Sequence, residues 1–161
     1  MYYFFQYPSN LKINQAFLDF GKEGTGDFVE RIIFKVNEDT RSLAANRNFL
    51  SLVQGNAGRS FRGYCFGYCR DQTIINWGCP PVINVPSERE KIKVSKWSVK
   101  YGDIYQSVQD ENYFAFSVFV INLRNENRST TQPKLGSIVN KIEILEPGFL
   151  YKLIDCGIIT D

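Results

Sequence analysis

The sequence predicts an α+β protein with a mainly antiparallel sheet of six to seven strands and two helices in the N-terminal half. Three observations predict it. Aromatic residues make up 15% of the 161 residues, and aromatic side chains suit a pleated, half-buried surface. Helical apolar spacing occurs twice, both times before residue 55, and two-residue alternation dominates afterwards. Strands and helices do not alternate along the chain, which argues against a parallel sheet. The length suits one domain over residues 1–161.

The elements follow in order. Residues 2–5, Tyr-Tyr-Phe-Phe, form a first strand. Residues 9–20 have Ser9 or Asn10 as a cap and apolar residues at 13, 16, 17 and 20, the spacing of a helix. Residues 21–27 are glycine-rich and form a loop. Residues 29–37 alternate, with Ile32, Phe34 and Val36 on one face, and form a strand. Asp39 or Thr40 caps a second helix with Leu43, Ala44, Leu50 and Val53 on its apolar face, stopped by Gly55. Residues 61–70 form a strand, and a shorter one follows at Thr73–Asn76 within a proline-rich connection over 71–90. Residues 91–101 form a strand, and 102–112 a turn or a single helical turn. Residues 113–123 are apolar on both faces, as in the centre of a sheet. A polar loop over 124–136 precedes an alternating strand at 137–146, a Glu146-Pro147-Gly148 turn and a last strand at 149–158.

Composition narrows the chemistry. The net charge is +2, too small for a protein held to nucleic acid or membrane by bulk attraction. There is no histidine, which removes Ser-His-Asp and Cys-His catalysis and imidazole-based zinc sites. Cys65, Cys69, Cys79 and Cys156 form no Cys-x-x-Cys pair, so no metal ligand set is expected. Cys65 and Cys69, on one strand, stand about 13 Å apart at strand rise, beyond the roughly 7 Å that a disulfide spans. Free thiols suit a reducing compartment. The N-terminus has no basic-then-apolar leader, and the longest apolar run, at 113–123, is too short to span a bilayer. The expectation is a soluble cytoplasmic protein with no membrane contact. The triplet Asn127-Arg128-Ser129 matches a glycosylation acceptor, which carries little meaning without a leader.

The segment Ser60–Arg70 is the most suggestive. As a strand it sets Arg62, Tyr64, Phe66, Tyr68 and Arg70 on one face and Phe61, Gly63, Cys65, Gly67 and Cys69 on the other. If the small side chains pack inward, three rings flanked by two guanidinium groups face outward. Base stacking contributes about 1–3 kcal/mol per ring, and arginine pairs with phosphate. The reverse assignment buries the rings and leaves the arginines at the strand ends. On the outward assignment, Lys91, Lys93 and Trp97 join the row as neighbours. The expected function is then non-catalytic binding of a nucleotide or short nucleic acid, with no cofactor. A protein partner, as in an inhibitor or immunity-type module, suits the same groups.

Two resemblances accompany this reading. Arg62-Gly63-Tyr64-Cys65-Phe66 resembles one strand motif of the RNA-recognition motif family, and residues 118–123 resemble its other motif, in reversed order. Phe61-Arg62-Gly63, Ser95 with Ser98, and the string from Asn140 to Leu153 around Glu143 resemble the Arg-Ser-Glu class of ADP-ribosyltransferases. That resemblance implies an enzyme using NAD. Arg62 would hold its phosphate or ribose, Ser95 would orient the nicotinamide-side ribose, and Glu143 would stabilise an oxocarbenium-like transition state. Ser95 and Ser98 are one residue further apart than in that family, and Lys141 replaces its acidic or amide residue.

Overall fold

The computed structural model describes residues 15–37, 43–55, 58–76, 97–106 and 119–159. Alternation runs through the first strand, β1 (Gln15–Lys22). Ala16, Leu18 and Phe20 point inward and are fully buried, while Phe17 and Asp19 take the outer face. β2 (Phe28–Val36) repeats the pattern with Ile32, Phe34 and Val36 inside. The helix α1 (Leu43–Gln54) follows, then β3 (Cys65–Tyr68), β4 (Thr73–Asn76), β5 (Trp97–Val99) and β6 (Asp103–Gln106). The chain continues through β7 (Phe119–Asn122), β8 (Arg128–Thr130), β9 (Lys134–Ile138) and β10 (Leu150–Ile159).

Eight of these strands close into an antiparallel barrel in the order β1-β10-β3-β4-β7-β6-β9-β2, and β5 pairs with β8 in a separate ribbon. β1 is held on both sides, Phe17 opposite Gly157 of β10 and opposite Ile33 of β2. The seam between β2 and β9 runs from Phe34 opposite Ile138 to Val36 opposite Gly136. Closure leaves none of the eight strands with a free edge.

The α+β expectation with two helices is therefore corrected to a closed all-antiparallel barrel with one helix among the described residues. The first expected helix is β1 from Gln15 onward, and its earlier part lies outside the described residues. Positions 16, 17 and 20 satisfy helical spacing, but 16, 18 and 20 satisfy alternation equally well. Hydrogen bonding to two neighbours decides for the strand. The segment read as a turn, 102–112, contains β6, and the polar loop at 124–136 contains β8 and the start of β9. The strand expected at 137–146 ends at Ile138, and 139–149 crosses over to β10. α1, β2, β4 and β10 fall where the sequence predicts them, and Gly55 stops α1 at φ 78°. Its expected cap lies outside the described residues, as do the strand at 2–5 and residues 91–96 and 113–118.

The two barrel ends close differently. At one, α1 inserts Phe49 among Phe34, Phe61 and Phe119, with ring centroids 5.6, 5.8 and 5.0 Å away. The buried thiol of Cys156 donates to the Val53 carbonyl at 3.4 Å, joining helix to β10. The other end is closed by side chains rather than by a helix. Tyr68, Tyr151 and Leu145 are buried there, and the buried Glu30 carboxylate accepts backbone N–H bonds from Glu143, Ile144 and Leu145 at 2.7, 2.8 and 2.8 Å. Asn140 ties the same crossover to β2, accepting from the Ile33 N–H and donating to the Arg31 carbonyl, both at 2.8 Å.

Candidate functional site

β3 starts only at Cys65, so the expected strand 61–70 is shorter than its alternation suggests. Residues 61–64 form a turn, with Tyr64 N–H bonded to the Phe61 carbonyl at 3.2 Å. From Cys65 onward Phe66 and Tyr68 face inward. Phe66 is fully buried, edge-on to Phe20 at 5.3 Å, and Tyr68 is 8% exposed. Tyr64 is half-buried against the same core. Burial pushes the Tyr68 phenol above its ordinary range. Phe61, assigned by alternation to the opposite face, also reaches the core, because the turn precedes the strand. The small side chains Cys65 and Gly67 take the outer face.

The flanking arginines are separated by this geometry. Arg62 pairs with Asp155 (Nε to Oδ1, 2.8 Å) and donates to the Cys156 carbonyl at 2.6 Å, binding the turn to β10. Arg70 stands exposed in the β3–β4 turn. Lys91 and Lys93 lie outside the described residues. Trp97 is in β5 opposite Thr130, in the separate ribbon. Cys65, Cys69 and Cys156 are free thiols, and no group of three or more metal-ligating side chains occurs among the described residues.

The residues of the second resemblance do not converge either. Arg62 is committed to Asp155, Ser95 lies outside the described residues, and Glu143 sits in the crossover rather than in a strand. The Glu143 side chain is exposed and only loosely faces Lys141 at 4.0 Å.

A different surface emerges on the outer wall. Register carries one row across six strands: Leu150 opposite Gly67, Gly67 opposite Ile75, Ile75 opposite Val120, Val120 opposite Tyr105, and Tyr105 opposite Lys134. Ile75 and Val120 are half-buried and form its apolar middle. Arg128, on β8, leans over that wall. Its guanidinium carbon is 5.9 Å from the Tyr105 ring centroid, and Nη2 donates to the Tyr105 hydroxyl at 3.2 Å. Nε of Arg128 bonds the Glu126 carboxylate, which also faces Arg124 Nε at 3.0 Å. Beside Tyr105, the buried Asp103 carboxylate accepts from Lys134 Nζ at 3.2 Å, Ser137 Oγ at 2.9 Å and the Lys100 N–H at 2.9 Å. The row therefore joins an apolar strip to a fixed set of hydrogen-bond donors. Sequence reading missed it because its members come from six strands, each supplying one residue. No local signal marks it, because Ile75 follows Ile74 directly and Val120 lies in a run that is apolar on both faces.

No family model matches the sequence, and no curated protein matches it significantly. Solved structures do match. One is the crystal structure of the Mimivirus cyclophilin, with a TM-score of 0.64 and 17% identity, over 96% of this chain and 93% of that one. At that identity the likeness establishes the fold: this is a cyclophilin-like barrel. It overturns the nucleotide-binding reading, the ADP-ribosyltransferase reading and the inhibitor or immunity-type reading together. The inward rings and the committed Arg62 are the physical side of that correction. No helix among the described residues is long and apolar enough to cross a membrane.

Proposed function

We propose that this barrel binds extended, proline-containing polypeptide segments on the outer face of β4, β7 and β6. The observation that carries the reading is the closed barrel shared with a cyclophilin, a barrel of the peptidyl-prolyl isomerase type, over nearly the whole chain. A fold does not bring its function with it, so the surface must supply its own argument. The eight barrel strands offer no free edge for strand addition, so a peptide that docks on the barrel itself lies on a face. A proline lacks the backbone N–H that a strand ladder needs. It docks instead by ring contact with apolar surface and by donors to the carbonyls around it. Ile75 and Val120 provide the first. Arg128 provides the second, because its bonds to Glu126 and Tyr105 leave guanidinium N–H groups to spare.

Exchange about an Xaa-Pro bond takes tens to hundreds of seconds without catalysis, so one NMR titration reads both binding and turnover. Short Xaa-Pro peptides are expected to move the amide signals of Ile75, Val120 and Tyr105. Arg128→Ala should weaken binding by about tenfold, the loss of a charge-assisted bond. Peptides that leave those signals in place would remove the reading. Accelerated cis–trans exchange, lost in Arg128→Ala, would add isomerase activity to it.

A further inference from the structure

All six large apolar side chains that stand exposed among the described residues lie at one end of the barrel: Phe28, Tyr101, Val139, Ile144, Phe149 and Leu150, between 43% and 59% exposed. Single exposed apolar residues are ordinary, but their confinement to one end is not. This is the end away from α1. β2, β4, β6 and β10 begin there, and β1, β3, β7 and β9 finish there. Every connection at this end lies within the described residues: 23–27, 69–72, 100–102, 123–127 and 139–149. The patch is continuous with the closing layer beneath it. Ile144 donates its N–H to Glu30, the Phe149 carbonyl accepts from the Tyr68 N–H at 2.9 Å, and Ile138 donates its N–H to the Gly102 carbonyl at 2.8 Å, next to Tyr101 and Val139.

The charged rim around the patch is polarised. Over β3, β4, β7 and β6 stand the exposed Arg70 and Lys100, with Arg124 tied to Glu126. Over β10, β1 and β2 stand Glu23, Asp27 and Glu146, with Glu143 loosely facing Lys141. Lys22 and Lys141 on the acidic side, and Asp71 and Glu126 on the basic side, carry the opposite sign, so the acidic half is net negative and the basic half net positive. An apolar patch flanked by a net basic half and a net acidic half is complementary to itself under a two-fold rotation. Each basic half then meets the partner's acidic half, and the rings meet at the axis.

We propose that two copies of this chain associate end to end through this surface, as a two-fold symmetric dimer. The occupant of the patch is a second copy because the rim matches its own rotated image, whereas a strongly acidic or basic partner would meet like charge on one half. The inference does not rest on the peptide-binding reading, whose central residues Ile75, Val120 and Tyr105 lie on the side wall, although Leu150 belongs to both surfaces.

The test is sedimentation equilibrium of the full chain over a wide concentration series. A reversible monomer–dimer equilibrium is expected. Phe149→Glu and Phe28→Glu should each weaken it by at least about tenfold, with near-UV circular dichroism unchanged because both side chains are solvent-exposed. Lys100→Glu and Glu146→Lys should each weaken it, and the double reversal should recover it. A chain that stays monomeric into the sub-millimolar range overturns the proposal. So does a dimer that neither phenylalanine substitution affects.

Discussion

Cys156 shows how a single buried group is felt by the whole protein. Its thiol is fully buried between α1 and β10, with Ser60 Oγ at 3.6 Å. Burial pushes its pKa up, and the Ser60 hydroxyl and the Arg62 guanidinium pull it back only in part. Below the ordinary thiol pKa of about 8.5, folded and unfolded chains both hold the proton, and Cys156 adds no pH dependence. Above it the unfolded chain ionises while the folded one keeps its proton, so stability falls as pH rises toward the folded value. The wild-type urea midpoint should therefore drop relative to Cys156→Ser above about pH 8.5. A difference that stays constant from neutral to alkaline pH would contradict this. Glu30 acts through hydrogen-bond geometry: three N–H donors converge on its one carboxylate, which fixes the crossover that carries Ile144 and Phe149.

At the scale of elements, the seam between β2 and β9 decides whether the sheet closes. Gly136 is opposite Val36, and a Cβ there would press into the Lys35 carbonyl oxygen and lie 3.1 Å from the Phe34 ring. The two strands approach this closely only because position 136 has no side chain. Gly136→Ala should cost about 1–3 kcal/mol, as overpacking does. Hydrogen exchange should show amide protection lost first along β2 and β9, with β1 and β10 retaining theirs. Uniform loss across the barrel would mean that the seam is not the weak point. The glycine itself is plain in the sequence. Its reason is not, because Phe34 and Lys35 are about a hundred residues away.

The whole barrel depends on pairing its first described strand with its last, Gln15 opposite Ile159. Such distant partners make folding slow, on the order of milliseconds to seconds, because the loop must close before the contacts form. A chain ending before Leu150 would leave β1 and β3 with open edges and strip Tyr151, Leu153 and Cys156 from the core. It should show no cooperative urea transition and no near-UV circular dichroism. A cooperative transition in that truncated chain would show that the remaining seven barrel strands fold without β10.

Read alone, the sequence determined which short segments alternate and where α1 runs and stops. It placed β2, β4 and β10 and excluded histidine chemistry. These features depend on neighbours within a few residues. Tertiary structure decided the rest. It resolved the double periodicity of residues 16–20 into a strand, because β2 and β10 offer hydrogen bonds on both sides. It decided which face of β3 turns inward, sealing Phe66 and Tyr68 in the core, because alternation separates two faces without saying which one meets the barrel interior; the bend at Gly63 brings Phe61 to the same core. It closed the sheet, which sets one residue from each of six strands in a single outer row. That row and the apolar end exist only once strands far apart in the chain lie side by side.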